Sequence, residues 1–179
     1  MKHRNHRHHL AWLLAMAAAV GVALPLEAAE VAISPATIAA PLQASLHDRY
    51  GAAEGAVLQQ MVSDWLTRSL KAAGASVAAG APVRIEVSID DAVPSHPTRY
   101  QIEHSPGLDP LRSISLGGAR LHAVLRDAGG QVLDQVEYDR YATSLHEVSP
   151  SGDAWGDARV TIERFSELVA KSWQRHAAH

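Results

Sequence analysis

Apolar positions recur along this chain with two different periods, and the switch between them marks its elements. Residues 51–73 carry Val57, Leu58, Met61, Val62, Trp65, Leu66 and Leu70 at steps of three and four, which is the spacing of one helix face. Asp48 and Glu54 near its start and Arg68 and Lys71 near its end suit the helix dipole. Asp64 and Arg68 form an i,i+4 pair, and Gly74 is a natural stop. A second helical stripe, Ala158, Ile162, Phe165, Val169 and Trp173 widened by Leu168, predicts a last helix. Asp153 and Asp157 stand at its start, Lys171 and Arg175 at its end, and Glu167 and Lys171 pair along it.

Between the helices the period drops to two. Val83, Ile85, Val87 and Ile89 alternate with Arg84, Glu86, Ser88 and Asp90, predicting a strand with one buried and one wet face. Ala119, Leu121, Ala123 and Leu125 alternate in the same way with Arg120, His122, Val124 and Arg126, after a bend at Gly117-Gly118. Asp127-Ala128-Gly129-Gly130 reads as a hairpin turn, and residues 131–141 as the return strand, with Val132, Val136 and Tyr138 on one face. Residues 31–34, closed by Pro35, form a short first strand. Residues 36–48, Ala-rich and broken at Pro41, read as irregular. Residues 91–110, punctuated by Pro94, Pro97, Pro106 and Pro110, read as a long loop of the kind that often carries function. The expected fold is α+β: a two-layer sandwich, with an antiparallel sheet of three to four strands packed by two amphipathic helices in the order βαβββα.

The first residues have a different character. Lys2, Arg4 and Arg7 among four histidines precede an uncharged apolar run over residues 10–24, then Pro25 and the small pair Ala28-Ala29. This is the pattern of a secretory signal peptide. The run is shorter than the roughly 20 residues of a spanning helix. Cleavage after Ala28 is preferred to cleavage after Ala29, which would place charged Glu27 three residues before the cut. The expected organisation is a signal peptide over residues 1–28 and a single periplasmic α+β domain over 29–179, with no stable membrane span after cleavage.

Composition narrows the chemistry. The chain has no cysteine, which excludes disulfides, thiol catalysis, Cys-ligated zinc and a lipidated cysteine. The only asparagine is Asn5, so no glycosylation sequon follows the leader. Both absences favour a bacterial periplasm. The whole chain has net charge -3; without residues 1–28 it keeps 13 basic and 18 acidic residues, net -5. A mildly acidic domain without a basic cluster is a poor nucleic-acid binder.

Candidate chemistry is sparse. Asp90-Asp91 at a strand end are paired acids whose side chains diverge by alternation. His96, His104, His122 and His146 fall in no short metal-ligand spacing. His122 shares a strand face with Arg120 and Arg126, a small anion-attracting patch if it is more than an ordinary wet face. The candidate binding residues are His96, Arg99, His104, Arg120 and His122. No catalytic residue, metal or cofactor is assigned. Ser113, Ser115 and Gly117-Gly118 match neither a phosphate loop nor a nucleophile elbow. Trp65 and Trp173 belong to helical stripes, and Trp155 staples the start of the last helix.

His96-Pro97-Thr98, Pro106-Gly107-Leu108-Asp109, the 113–119 run with its Gly-Gly and Trp155-Gly156-Asp157-Ala158 together resemble a group of small exported proteobacterial proteins without assigned function. The resemblance spans about residues 82–173 and implies export rather than an activity. The leading expectation is a non-enzymatic binding or envelope-accessory module, in contact with an envelope protein through residues 91–110 and the strand near Gly117. The alternative is a small periplasmic hydrolase or metal-binding protein in which Asp91, His96, His104 or His122 converge.

Overall fold

The computed structural model describes residues 29–177; the expected signal peptide lies outside them. The element order is β1 (Glu30–Ile33), β2 (Thr37–Ile38), α1 (Ala40–Ser45), a π-helical turn (Leu46–Tyr50), α2 (Glu54–Ala72), β3 (Ser76–Val77), β4 (Val83–Val93), α3 (Arg99–His104), β5 (Gly118–Arg126), β6 (Val132–Tyr141), a short 3-10 turn (Leu145–Glu147) and α4 (Gly156–Ala177). The fold is α+β with an open six-stranded sheet and four helices.

This corrects the expected order βαβββα and the count of three to four strands. It also corrects the all-antiparallel sheet. The sheet runs β3-β1-β4-β5-β6, with β2 also beside β4. β1 and β2 both lie parallel to β4, in the registers Val31↔Val83 and Thr37↔Ser88, and β3 lies parallel to β1. Only β4-β5-β6 is the antiparallel meander that the period-two pattern predicts.

Periodicity explains what is buried. Leu58, Val62, Leu66 and Leu70 of α2 face Ala158, Ile162, Phe165, Val169 and Trp173 of α4, over Ile85, Val87, Ile89, Leu121, Ala123 and Leu125 of the sheet. α2 stops where Gly74 adopts φ +90°, a left-handed value open to glycine, and the Ala75 N–H turns back to the Leu70 carbonyl. Val57, Met61 and Trp65 sit on the flank of the α2 stripe rather than in its centre, and Val57 is exposed.

Two bulges change which residues face inward. One lies at Asp90, so Ile89 pairs with Leu121 and Asp91 with Arg120. The extra residue restores an inward position to Ala92 and leaves Asp91 on the open face. The other lies between Leu125 and Arg126 and displaces Val132. Val132 is exposed, while Leu133, Val136 and Tyr138 pack against the core. The expected face of the return strand thus holds for Val136 and Tyr138 and fails at Val132.

Candidate functional site

The C-terminal ends of β4 and β6, the start of β5, the first turns of α2 and α4, α3 and the π-helical turn meet at one end of the sheet. A buried polar knot binds them. The Ser95 N–H donates to the Ala154 carbonyl at 2.8 Å, and the Ser115 N–H donates to the Ser95 carbonyl at 3.0 Å. The Ser115 hydroxyl donates to the Pro94 carbonyl at 2.7 Å. Asp157, fully buried in the first turn of α4, accepts the Ser149 N–H at 2.7 Å and the Gly117 N–H at 3.3 Å. Gly117 leaves no space for a side chain, since a Cβ there would lie 2.8 Å from Ser95 Cβ and 3.0 Å from Asp157 Oδ2.

The expected long loop over residues 91–110 instead begins with the end of β4 and contains a short helix. β4 runs to Val93, and α3 opens with a capping box. Thr98 Oγ1 accepts the Gln101 N–H at 3.3 Å while Gln101 Oε1 accepts the Thr98 N–H at 3.1 Å. The buried Thr98 hydroxyl also donates to the Tyr50 carbonyl at 2.6 Å. Tyr50 meets the Trp155 ring edge-on at 5.9 Å, and the Trp155 indole N–H donates to Glu54 at 2.7 Å. The Trp155 staple thus joins the starts of α2 and α4.

This frame forms one side of a partly open cavity of about 300 Å³. Its polar walls are Arg49, Tyr50, His96, Gln101, Ser113 and Ser115; its apolar walls are Val93, Pro94, Pro97, Leu108 and Ile114. His96 is only 6 % exposed, and its Nδ1 has no hydrogen-bond partner. The Arg49 guanidinium lies 5.0 Å over the Tyr50 ring. Burial pushes the Tyr50 phenol above its ordinary range; the Arg49 charge opposes this, and Asp91 adds to it.

The candidate residues divide among three places. His96 lines the cavity. Arg99 and His104 lie on the solvent side of α3, where Arg99 pairs with Glu103 at 2.7 Å and His104 stacks on Tyr100. Arg120 and His122 lie on the open sheet face. There Arg126 pairs with Glu86 at 2.9 Å, His122 Nδ1 lies 3.5 Å from Asp90, Arg120 stands in register with Asp91 and Asp139, and exposed Arg84 stands in register with Arg126. The Tyr141 hydroxyl donates to Asp91 at 2.6 Å, and burial together with this bond pushes the phenol above its ordinary range. Among the described residues no group of three or more His, Asp or Glu side chains is placed to hold a metal ion.

Apolar exposure is concentrated in the segment 102–116, of which Leu108 and Ile114 line the cavity. Among the described residues, Ile102, Leu108, Leu111, Ile114 and Leu116 are five of the nine exposed large hydrophobic side chains, and Leu111 is 71 % exposed. A wider groove of about 700 Å³ follows α2 past Val57, Met61, Trp65 and Arg68 to Arg159 of α4. It lacks a buried polar group without a partner. Arg49, Tyr50 and Asp157 were invisible as site residues in the sequence. Thr98-x-x-Gln101 was the one local signal that could have revealed α3.

No family model matches the chain, and no curated protein matches it. Among solved structures it is similar to a Xanthomonas campestris protein of the DUF330 family model, at 11 % identity and TM-score 0.49, over 88 % of this chain and 93 % of that one. A hypothetical protein of Chlamydia trachomatis matches at 10 % identity and TM-score 0.48, over 84 % and 98 % of the two chains. PelC of Paraburkholderia phytofirmans, a dodecamer, matches at 10 % identity and TM-score 0.44, over 80 % and 86 %. With every TM-score below 0.5, these similarities carry no argument about activity or partners. No helix among the described residues is long and apolar enough to cross a membrane.

Proposed function

We propose that this chain is an exported, non-enzymatic binding module. On this reading residues 1–28 direct export, and residues 29–179 form one periplasmic domain, a two-layer sandwich with α2 and α4 over the sheet. Its contact surface for an envelope protein is the segment 102–116. The observation that carries the reading is the crowding of exposed apolar side chains into those fifteen positions. Single exposed leucines are ordinary, whereas exposed apolar side chains gathered in one segment suit an interaction surface. The strands β4, β5 and β6 contribute only Val132 to the exposed large hydrophobic side chains of the described residues.

The test is capture of envelope proteins by the purified domain. Replacing Leu111 and Ile114 by serine removes two exposed apolar groups without opening the core, and capture should fall at least about tenfold, as expected when a central apolar anchor is lost. Val132→Ser, an apolar position on the sheet edge as exposed as Ile114, should leave capture unchanged. Equal capture by all three proteins would overturn the proposal.

A further inference from the structure

Several side chains of the cavity wall keep hydrogen-bond donors to spare. Gln101 spends its carbonyl oxygen on the Thr98 N–H, which leaves its NH2 group to donate. Ser113 Oγ accepts the Asp109 N–H at 3.0 Å and keeps its own proton. Arg49 brings up to five donors and the only formal positive charge of the lining, and no carboxylate is present there. His96 extends the pattern. Its Nδ1 is enclosed without a partner. An enclosed lone pair without a partner is tolerated better than an enclosed N–H, which favours the tautomer that carries its proton on Nε2, as a donor. The cavity therefore offers several donors and one positive charge to an accepting guest, while the Ser115 and Tyr50 oxygens are acceptors left in its wall. Beside them stand Val93, Pro94, Pro97, Leu108 and Ile114, which suit a short apolar chain. A volume of about 300 Å³ lies at the small end of ligand pockets.

We propose that this cavity binds the carboxylate of a small, branched apolar acid, held by Arg49, His96, Gln101 and Ser113, with its hydrocarbon part against the proline and aliphatic wall. A carboxylate matches the planar guanidinium and the single charge; a phosphate would bring more charge than one arginine balances. The chemistry is shared by a free short-chain acid and by the C-terminal carboxylate of a peptide ending in an aliphatic residue. The proposal does not rest on the partner reading and needs no partner protein, although Leu108, Ser113, Ile114 and Ser115 belong both to the pocket wall and to the 102–116 segment.

The test uses the purified chain, with backbone amide NMR shifts of His96, Gln101 and Ser113 as readout. The probes are 4-methylpentanoate, its neutral amide and inorganic phosphate. A second pair is an acetylated tripeptide ending in leucine with a free or an amidated terminus. The acid should saturate these shifts, while its amide and phosphate should not. Arg49 is exposed, so Arg49→Gln should fold normally; it should weaken the acid about tenfold, with Arg49→Lys intermediate. Tighter binding of the free-terminus peptide than of the free acid supports the proposal and assigns the source to a chain terminus; the reverse order supports it and assigns a small metabolite acid. Equal shifts with acid and amide, no saturation by about 50 mM, preference for phosphate, or an Arg49→Gln variant that binds like its parent would each overturn the proposal.

Discussion

Asp157 holds the apical frame together, and Asp157→Ala measures how much depends on it. The carboxylate is fully buried and accepts the Ser149 and Gly117 N–H groups. Removing it leaves two buried donors without an acceptor, each costing about 1–3 kcal/mol, with the 3.3 Å bond at the lower end. It also removes a negative charge from the first turn of α4, worth about 0.3–1 kcal/mol. Relief of the desolvated carboxylate works the other way. The expected loss is about 3–4 kcal/mol, a large share of a typical domain's stability. For a chain of this length that lowers Tm by about 10 °C. Asp157→Asn keeps one acceptor for Ser149 but turns an NH2 group toward the Gly117 N–H, so it should lose about 2 kcal/mol. Urea denaturation gives the free energies, and hydrogen exchange should quicken first at Ser149 and Gly117. An alanine variant within about 1 kcal/mol of the parent, with unchanged exchange at both amides, would refute this account of the frame.

Gly118→Ala should cost about 3 kcal/mol, because a Cβ there would collide with the Arg140 carbonyl and lie 2.6 Å from Tyr141 Cα; Gly129→Ala, in the open hairpin turn, should stay within about 0.5 kcal/mol in the same urea series. Thr98→Ala removes the α3 cap and the bond to the Tyr50 carbonyl, and should lose about 1–2 kcal/mol by chemical denaturation. Asp134 is held below the usual carboxylate range, first by the Ser172 hydroxyl and further by the Gln135 N–H and Arg175, against an opposing effect of burial. A depressed folded-state value means stability that is present above the unfolded carboxylate range and lost as pH falls through the folded value, so Asp134→Asn should flatten the acid limb of a stability–pH curve. Tyr141 is shifted upward, so its contribution is full below about pH 10 and declines above that, and Tyr141→Phe should weaken the alkaline decline.

The elements readable in the sequence are those long enough to repeat a period. α2, α4, β4 and β5 each carry at least four apolar residues in phase, and tertiary packing buries that phase. α1 and α3, at six residues each, are too short to show a period. β2 and β3, at two residues each, exist through pairing with β4 and β1 rather than through their own composition. The parallel edge was hidden for the same reason. Val132 was misplaced because the bulge beside it shifts the phase of a strand whose apolar residues are few. In the apical site, His96 was visible as a histidine but not as a buried one, since its environment comes from residues 49–50 and 101–115. Asp157 looked like a helix-start acid. Its bonds reach back forty residues to Gly117 and eight to Ser149, distances that local patterning does not register.

The central claim is that the 102–116 segment is the contact surface. Site-specific photo-crosslinking in living cells tests it most directly, with the reactive side chain placed in turn at Ile102, Leu111 and Ile114, and for comparison at Val57, Val132 and Glu137. The account predicts adducts with a discrete envelope protein from the first three positions and none from the others. Adducts from Val57 or Glu137 without any from Leu111 and Ile114 would contradict it.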